Sequence, residues 1–548
     1  IRNVNNIIII VNKVRENYLD NVRLFSEQYE FITDKLPLNF IYIGLISVAF
    51  PEARIIHVKR TAEAVCWGNF KQHFVNGEFR SDEEGTFDYI RPSDQKNLDS
   101  IPNASKDLVN ETVEKAQKAF ENSEWSSLKP RQRAKILFKW ADLIEKDVDY
   151  LSKVEAMNST RLISETSQGD VFGTADTIRY FAEWADKIEG QTTASSPNVL
   201  SLTIKQPYGV VLGITPWNFP IVQVAWKAAP ALAAGNAVII KPSEYTPLSI
   251  FRLAELSIKA GFPNGIFNYL LGEGSITGNY LVQHPGIAKI AFTGSSATGA
   301  KIMSESALSG LKPVHLELGG KSPQIVFDDI TDIDDTVSKI AAGMYVNSGQ
   351  VCTSGTRLIA HKKIVNELTD KLIKIGNQKL PGLTWDDNTS LPPIVSKKQA
   401  ERIDSLISKS VEMGANVISG GSWHDTNYGG YFYKPTFIEK VSTDMPVYKE
   451  EVFGPVINID TFNDYEEAVQ MADHPTYGLA ACVHTSNLNM AINLSKKIDS
   501  GMIWVNHWGY PDEFSHPAGG FKRSGIGKDM GSSGINEYYK EKAIWIPH

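Results

Sequence analysis

The strongest constraint on the fold is a regular alternation of short β-branched runs with helical segments, which begins near Ser105. Four runs have the composition of strands that end in turns, and they lie at residues 210–217, 237–242, 266–272 and 289–295. Helical stretches such as residues 247–260 separate them, so successive strands are predicted to be parallel. The pattern predicts a doubly wound α/β fold, in which ligands bind at the carboxyl ends of the strands.

A second α/β series follows Gly319, with predicted strands at residues 324–327 and 357–361 and a predicted helix at residues 364–375. Upstream of the first series, residues 106–122 and 131–152 have the spacing of amphipathic helices, and Ser105 is the predicted N-cap of the first. The chain has 548 residues, which is long enough for two packed domains.

Composition and charge exclude several classes of protein. A net charge of −8 gives the chain no basic surface of the kind that binds nucleic acid, so we expect no such partner. The three cysteines, Cys66, Cys352 and Cys482, are far apart and odd in number, which indicates free thiols in a reducing compartment. The apolar run at residues 7–11 is too short to span a membrane and lacks the features of a signal peptide. We therefore expect a cytoplasmic protein with no membrane partner.

A cysteine and a glutamate are the candidate reactive groups. Cys352 lies in the run GQVCTSG, whose small residues leave the sulfur open to a substrate, and a thiolate there can serve as a nucleophile. Glu317 opens the run ELGGKSP, where two glycines let the carboxylate approach a thiol or a water molecule. Each residue alone also has an ordinary interpretation, since most free cysteines are buried apolar groups and most glutamates are solvated.

Three further motifs follow predicted strands. TPWNFP contains Asn218, whose amide can donate to an oxygen that becomes negative during addition to a carbonyl, although a turn or N-cap role fits equally well. KPSE contains Lys241 and Glu244, which can bind the hydroxyls of a ribose or lie in a solvated turn. The carboxylate would repel a 2′-phosphate, which favours NAD over NADP. FTGSSATG can offer the N–H groups of a helix start to pyrophosphate, or it can be a simple helix cap.

From about Phe74 to Ile546 the chain closely resembles the aldehyde dehydrogenase superfamily. The shared motifs, in order, are TPWNFP, KPSE, GFPNG with Asn268, FTGS, ELGGKSP, GQVCTS, EVFGPV and GGFKRSG. The resemblance implies a dinucleotide-binding domain, a catalytic domain and a small β oligomerisation element. It also implies NAD as cofactor, a small-molecule aldehyde as substrate, no metal, and assembly as a homodimer or homotetramer.

The resemblance also implies roles for individual residues. Cys352 would be the nucleophile and Glu317 the general base, and Asn218 would form the oxyanion hole with the backbone N–H of Cys352. The implied cofactor-binding residues are Trp217, Lys241, Ser243, Glu244, Gly274, Gly294, Ser295, Glu451 and Phe453. The aldehyde would add to the sulfur and lose hydride to the nicotinamide, and Glu317 would activate water to hydrolyse the thioester. Lys528 and Asp529 stand where many relatives have arginine and glutamate, a difference expected to leave the chemistry unchanged.

Two other functional classes remain open at this point. One is a non-catalytic NAD-binding relative, which would lack the reactive residues that this chain retains. The other is a sulfotransferase fusion, because residues 34–74 resemble a central piece of the sulfotransferase fold. Arg60 matches the phosphate-binding arginine of that family, but Gly68 stands where that family has a serine, and its glycine-rich phosphate loop has no counterpart upstream. We expect residues 1–73 to be non-functional as a sulfotransferase.

The expected domain boundaries follow from these assignments. Residues 74–190 and 207–316 would form the dinucleotide-binding domain, residues 317–532 the catalytic domain, and residues 191–206 and 533–548 the oligomerisation element. The candidate substrate-binding residues are Val222, Trp226, Thr353 and Trp508, with Ile221, Val351, Tyr510 and Phe514 as a wider set. They predict an apolar, aromatic entrance, where Asp512 and Glu513 would favour amino or cationic aldehydes, although the aromatic residues fit a simple core equally well.

Overall fold

The computed structural model describes residues 71–82, 84–122, 125–509 and 513–548. Most of the predicted sulfotransferase-like segment, including Arg60 and Gly68, therefore lies outside the described residues, as do Tyr510 and Asp512. The described part is an α/β protein with two mainly parallel sheets, as the sequence predicts.

The first sheet has eight strands within the described residues, and its five central strands are parallel. In spatial order the strands are Glu78–Arg80, His73–Val75, Phe267–Tyr269, Ala237–Lys241, Val210–Ile214, Lys289–Thr293, Val314–Glu317 and Gly525–Ile526. Numbered along the chain, the central five are arranged 3-2-1-4-5, so the order reverses between Val210–Ile214 and Lys289–Thr293. A crevice at such a reversal is the usual ligand site of this class of sheet.

Helices connect and cover these strands. Their bounds are Lys106–Asn122, Pro130–Lys146, Val148–Asn158, Ile163–Glu165, Val171–Trp184, Pro220–Ala233, Ser249–Ala260, Asn279–Gln283 and Ser296–Leu308, with π-helical turns at Thr166–Asp170 and Gly274–Gly278. Ser105 Oγ accepts a hydrogen bond from the N–H of Leu108 at 3.1 Å. This bond confirms the predicted N-cap of the first helix.

The prediction of continuous helix over residues 131–152 is wrong. Two helices, Pro130–Lys146 and Val148–Asn158, meet at Asp147, whose φ is −95° and ψ 13°. The carboxylate of Asp147 accepts two hydrogen bonds from Arg252, of 2.7 and 2.6 Å. Arg252 belongs to the helix Ser249–Ala260, so a tertiary contact stabilises a break that local residue spacing does not show.

The second sheet has seven strands within the described residues, and only its edge strand Asn416–Ser419 is antiparallel. The others are Thr436–Glu439, Val456–Phe462, Arg357–His361, Pro323–Val326, Ala480–His484 and Met502–Val505. The principal helices of this half are Ile333–Tyr345, Val365–Asn377, Lys397–Glu412, Pro446–Lys449, Tyr465–Ala472 and Leu488–Lys497, while the helix Gly531–Asn536 packs against Val171–Trp184 and Pro220–Ala233 of the first half. Neighbouring residues of one strand, such as Ile325 and Val326, belong to different hydrophobic clusters. Helices therefore cover both faces of this sheet, as in a doubly wound fold.

Three short antiparallel pairs complete the described structure. Thr86–Ile90 pairs with Asn97–Pro102, and Tyr477–Gly478 pairs with Phe521–Lys522. The strand Val199–Pro207 pairs with Tyr539–Pro547 along their whole length, at the place predicted for the oligomerisation element. This ribbon exposes large apolar side chains at Leu200, Trp545 and Ile546.

The amino-terminal boundary predicted between residues 73 and 74 divides a strand. His73 and Phe74 both lie in the strand His73–Val75 and are fully buried. His73 Nδ1 accepts a hydrogen bond from the N–H of Leu271 at 3.0 Å, and Lys71 forms an ion pair with Asp99. The part of the chain that packs with the first sheet therefore begins by residue 71. Among the described residues, no helix has the length and apolar composition needed to cross a membrane.

Candidate active site

Four of the predicted site segments begin where parallel strands of the first sheet end. Trp217 and Asn218 follow Val210–Ile214, Lys241 ends its strand, Gly294 follows Lys289–Thr293, and Glu317 ends Val314–Glu317. Because these strands are parallel neighbours, their carboxyl ends meet at one edge of the sheet. The topology thus gathers motifs that are spread over about a hundred residues of sequence.

An unusual loop leads to Cys352. Asn347, Ser348 and Gly349 have φ values of 50°, 52° and 69°, all in the left-handed region. Asn347 and Ser348 are buried, and the backbone carbonyl of Gly454 occupies the space that a side chain at Gly349 would need. Two consecutive non-glycine residues in this region are strained, and such strain persists only where surrounding contacts hold the backbone in place.

Two reciprocal hydrogen bonds join this loop to the turn that carries Asn218. Asn218 Nδ2 donates to the backbone carbonyl of Gln350 at 3.0 Å, and Asn347 Nδ2 donates to the backbone carbonyl of Asn218 at 3.1 Å. Thr160 Oγ1 also donates to Asn347 Oδ1, at 2.7 Å. The predicted oxyanion-hole amide and the loop of the predicted nucleophile are therefore held together as one buried unit.

Cys352 is a half-buried free thiol. Burial, together with the negative charges of Glu451 and Glu317, raises the pKa of Cys352 to about 12. A thiol with that pKa is protonated at neutral pH, and only the thiolate is a strong nucleophile. The sulfur therefore needs a proton acceptor, or an added positive charge nearby, before it can react.

Glu317 is buried beside the thiol, and its pKa is raised well above the ordinary value. Burial is the main cause and the nearby carboxylate of Asp529 adds to it, while Lys227 and Lys528 act in the opposite direction. A raised pKa makes the ionised carboxylate a stronger base than that of a solvated glutamate. Gly519 lies against Glu317 Oε1, and any side chain at position 519 would collide with that oxygen.

Both glycines of ELGGKSP lie against the carboxylate of Glu451. The N–H of Gly320 donates to Glu451 Oε1 at 3.0 Å, and a side chain at Gly319 would collide with the same carboxylate. A side chain at Gly320 would instead strike the backbone carbonyl of Cys352. These contacts place Glu451 between the two sheets, close to the thiol. Burial raises the pKa of Glu451 to about 7, although the N–H of Gly320 and the charge of Arg402 lower it.

Aromatic groups lie beside Glu451. Phe453 has a φ of 56°, and its ring makes an edge contact with Trp217, with ring centroids 5.3 Å apart at 87°. Trp217 is half-buried on the turn before Asn218. Phe453, one of the two predicted nicotinamide-side residues, thus contacts the turn that carries the predicted oxyanion-hole amide, while Glu451 contacts Gly319 and Gly320.

The predicted ribose-binding residues form a pair at the end of the strand Ala237–Lys241. Lys241 Nζ lies 3.1 Å from Glu244 Oε2, and about a third of the Glu244 side chain is exposed. Burial opposes ionisation of Glu244, but Lys241, a backbone N–H and Lys398 together outweigh it and hold the pKa of Glu244 below its usual value. Ser243 is buried, and its Oγ accepts the N–H of Tyr245 at 3.3 Å.

The predicted pyrophosphate segment is a capped helix start. Ser295 is the N-cap of the helix Ser296–Leu308, and its Oγ accepts the N–H of Thr298 at 3.2 Å. The cap interpretation is therefore confirmed, and Gly294 and Ser295 remain accessible at the end of the strand. Gly274 is exposed with open space around it, at the start of the π-helical turn Gly274–Gly278.

The predicted substrate residues fall into two groups. Val222 and Trp226 lie four residues apart on one face of the helix Pro220–Ala233 and are both half-buried. Trp508 Nε1 donates to the backbone carbonyl of Thr353 at 3.2 Å, so these two are in contact next to Cys352. Phe514 lies near Tyr180, with ring centroids 6.3 Å apart.

Sequence reasoning missed a buried polar cluster behind Glu317. Its members are His315, Lys227 and Asp529, and all three are almost fully buried. Lys227 Nζ lies 2.6 Å from Asp529 Oδ2, while His315 Nε2 lies 3.5 Å from Glu317 Oε1 and 3.6 Å from Asp529 Oδ1. The difference at Lys528 and Asp529 therefore lies close to the predicted base, and the expectation that it leaves the chemistry unchanged stays a prediction. The sequence did carry one sign of this cluster: His315 and Glu317 are two residues apart on one strand, so their side chains lie on the same face.

Comparison with known proteins identifies the family. The sequence model of a protein family described as "Aldehyde dehydrogenase family" matches residues 79–544. The chain belongs to this family. An aldehyde dehydrogenase of Aspergillus niger is 40% identical over 472 residues, which are 86% of this chain and 94% of that protein. The alignment therefore covers nearly the whole length of that relative.

Solved structures of aldehyde dehydrogenases share the fold. The Bacillus cereus enzyme in its NAD+ complex has a TM-score of 0.85 and 37% identity, covering 90% of this chain and 100% of that one. KauB from Pseudomonas aeruginosa has a TM-score of 0.86 and 36% identity, covering 89% of this chain and 98% of that one. Residues 4–96 match a second model, described as "Sulfotransferase family". That match confirms the second predicted resemblance and extends further than residues 34–74.

Proposed function

We propose that this aldehyde dehydrogenase oxidises an aldehyde to the carboxylic acid with NAD, through a covalent thioester on Cys352. The observation that carries the proposal is the buried unit formed by Asn218, Asn347 and the Cys352 loop. This unit joins the loop that carries the thiol to Asn218, and both Asn218 and Glu317 lie at the carboxyl-end edge of the first sheet, which supports a catalytic site there. Membership of the family and the NAD+ complexes of its solved relatives support the same conclusion.

The residues at this edge have the chemistry that NAD requires. Lys241 and Glu244 can bind the two hydroxyls of the adenosine ribose, with Ser243 behind them. Gly294 and Ser295 leave the start of a 13-residue helix accessible to the pyrophosphate, and Gly274 leaves open space for the adenine end. On the other side, Glu451 could accept from the nicotinamide ribose and Phe453 could contact its ring, while Trp217, in edge contact with Phe453, would lie close to the pyrophosphate. The positions of Glu451 and Phe453 fit a cofactor that reaches Cys352.

In the first half-reaction the sulfur of Cys352 adds to the aldehyde carbon. The oxygen becomes negative, and the second N–H of Asn218 Nδ2 and the backbone N–H of Cys352 would stabilise it. Bound NAD supplies a hydride acceptor and a positive charge. Because the pKa of Cys352 is about 12 in the free protein, Glu317 or solvent takes the thiol proton as the sulfur reacts.

In the second half-reaction Glu317 takes a proton from water, and the resulting hydroxide attacks the thioester. Burial raises the pKa of Glu317, which makes the carboxylate a stronger base than a solvated glutamate. The base favours water over coenzyme A as the acceptor of the acyl group. The retained Cys352, Glu317 and Asn218 also argue against a non-catalytic NAD-binding relative.

The assembly and the substrate follow from surface features. The ribbon Val199–Pro207 with Tyr539–Pro547 exposes Leu200, Trp545 and Ile546. Residues 191–193 partly cover the outer edge of the first strand, while the outer edge of Tyr539–Pro547 has no strand partner among the described residues. We propose that it joins subunits into a homodimer or homotetramer. Val222, Trp226, Thr353 and Trp508 would line an apolar approach to the sulfur.

One experiment tests the activity. The full chain is incubated with NAD and a panel of aliphatic, aromatic and amino aldehydes, and NADH absorbance is followed. We expect NADH to form with at least one aldehyde and the Cys352→Ala protein to form none while still binding NAD. Equal activity of the Cys352→Ala protein would overturn the mechanism. Binding of the sulfate-donor nucleotide 3′-phosphoadenosine 5′-phosphosulfate to the full chain would instead support the sulfotransferase fusion.

A further inference from the structure

His315 and Glu317 share one face of a strand. They are two residues apart in Val314–Glu317, and side chains alternate along a strand, so both point toward the same side of the first sheet. His315 is completely buried. Gly527 has a φ of 89°, and a side chain there would meet the His315 ring at 2.8 Å. The carboxy-terminal segment therefore covers the imidazole closely, and the ring has little room to move.

One nitrogen of His315 faces two carboxyl groups. Nε2 lies 3.5 Å from Glu317 Oε1 and 3.6 Å from Asp529 Oδ1. Asp529 Oδ1 has no hydrogen-bond partner among the described residues, and neither does His315 Nδ1. Since both acceptors lie on the Nε2 side, the geometry favours the tautomer that carries its proton on Nε2. At 3.5 Å the contact is long for a hydrogen bond, and a small movement of the Glu317 carboxyl shortens it.

We propose that His315 is a positioning residue for Glu317, whose single Nε2–H is shared between the Glu317 and Asp529 carboxyl groups. Donation to Glu317 orients its carboxylate and stabilises the ionised form that deacylation uses. When the Glu317 side chain swings toward water at the thioester, Asp529 Oδ1 can accept the same N–H. The inference rests on the proposed role of Glu317 as the base.

The imidazole is neutral in this setting, as a shared donor requires. Burial lowers the pKa of His315 well below its ordinary value, and the charges of Lys227, Lys289 and Lys528 lower it further. A neutral ring keeps one donor nitrogen and adds no charge to the cluster. The pH dependence of Glu317 then reflects the groups around it, which are His315, Lys227, Lys289, Cys352, Lys528, Asp529, Glu537 and Tyr538.

A divalent cation fits this cluster less well than a shared hydrogen bond from the imidazole N–H. His315, Glu317 and Asp529 have donor atoms close enough together for a metal. Lys227 Nζ, however, already lies 2.6 Å from Asp529 Oδ2 and supplies the counter-charge that a cation would bring. We therefore expect a chelator to leave the activity unchanged.

Two substitutions of matched shape test the proposal. His315→Gln keeps a side-chain N–H near the position of Nε2, whereas His315→Met has nearly the same length and volume but no donor. Each protein is mixed with NAD and hexanal, or benzaldehyde if that is turned over faster. Rapid quenching and intact-protein mass spectrometry then follow the formation and decay of the acyl adduct on Cys352. The decay is measured across a range of pH, and this readout does not depend on which step limits turnover.

We expect His315→Met to form the adduct at nearly the wild-type rate and to lose it about tenfold more slowly at pH 7. Loss of the donor raises the pKa of Glu317, so the acid limb of the decay profile moves to higher pH by about one unit. In His315→Gln the rate of adduct decay should stay within about threefold of the wild-type rate. Equal decay rates in the Met and Gln proteins would overturn the proposal, as would equal slowing of formation and decay in both. Activity lost to a chelator and restored by a divalent cation would also overturn it.

Glu317→Gln is measured in parallel so that the two proposals fail separately. If its adduct decays at the wild-type rate, Glu317 is not the deacylating base and the proposed function is wrong at that step. If Glu317→Gln decays slowly while His315→Met decays normally, the base is correct and only the role of His315 fails.

Discussion

Asn218 Nδ2 donates to the backbone carbonyl of Gln350, 3.0 Å away and two residues before Cys352. This bond fixes one N–H of the amide and so directs the other. Gln350 is itself held by its own amide, which donates to the carbonyl of Pro393 at 2.9 Å and accepts from the N–H of Val395 at 3.0 Å. The loop that carries Cys352 therefore also orients the amide of Asn218, which we propose as the oxyanion donor.

Asn218→Ala should lower kcat by about a hundredfold to a thousandfold, the usual cost of removing one oxyanion-hole donor. The KM for NAD should change little, because Asn218 lies at the sulfur end of the site. The rate at which iodoacetamide alkylates Cys352 serves as the control. It should stay near the wild-type value, since the loop keeps its bonds to Pro393 and Val395. A large change in alkylation would show that the substitution had displaced the loop.

The raised pKa of Cys352 predicts a distinctive pH dependence of thiol reactivity. With a pKa of about 12 in the free protein, the thiolate fraction rises about tenfold per pH unit up to pH 10. Alkylation of Cys352 should follow that slope without a plateau, measured by mass spectrometry in a Cys482→Ala background. An ordinary exposed thiol would level off near pH 9. A plateau below pH 9 would contradict the assignment of Glu451, Glu317 and burial as the controlling groups.

Glu317→Gln should separate the two half-reactions. The glutamine has the same shape but cannot take a proton, so we expect the first turnover to continue and thioester hydrolysis to slow by a hundredfold or more. Stopped-flow absorbance should then show a burst of NADH equal to the number of active sites. If the burst disappears together with the steady rate, Glu317 acts instead in activating the thiol.

Glu244 should make the wild-type enzyme prefer NAD, because its carboxylate would face the 2′-phosphate of NADP. Its lowered pKa means that the repulsion is present at neutral pH and weakens only in acid, as the carboxylate is protonated. Glu244→Gln should raise kcat/KM for NADP at least tenfold, since it also frees Lys241 to contact the phosphate. Comparable kcat/KM values for the two cofactors in the wild-type protein would refute this account.

Two truncations that differ by three residues test the amino-terminal boundary. Removal of residues 1–70 should leave dehydrogenase kinetics nearly unchanged. Removal of residues 1–73 also deletes Lys71 and His73, and it leaves the N–H of Leu271 without its buried acceptor. That loss should cost about 1–3 kcal/mol of stability and lower Tm by about 2 °C or more. Equal Tm values for the two proteins would contradict the boundary at residue 71.

The sequence predicted the strands and the gathering of motifs better than the contacts behind them. The spacing of apolar residues and the turn-forming residues predict that Lys241 and Gly294 lie at strand ends. Because the strands are parallel, their carboxyl ends then meet at one edge of the sheet. The break at Asp147 was missed because Arg252, far along the chain, stabilises it. The position of Asp529 beside Glu317 was missed for a similar reason, since the intervening chain forms the whole second sheet. Local pattern carries information about strand ends, and much less about which distant carboxyl comes to lie beside a given base.

The short strand Gly525–Ile526 pairs antiparallel with Leu316 and Glu317. It is followed directly by Gly527 and Asp529, and it comes late in the chain. During synthesis, the strand Val314–Glu317 can associate with the other four parallel strands of the first sheet long before the edge strand Gly525–Ile526 leaves the ribosome. A nascent chain can thus hold a folded dinucleotide sheet while the wall of the catalytic pocket is still missing. Since Cys352 and the segment that covers Glu317 both follow the first sheet's parallel strands in the sequence, the proposed site is complete only when the later part of the chain has been made.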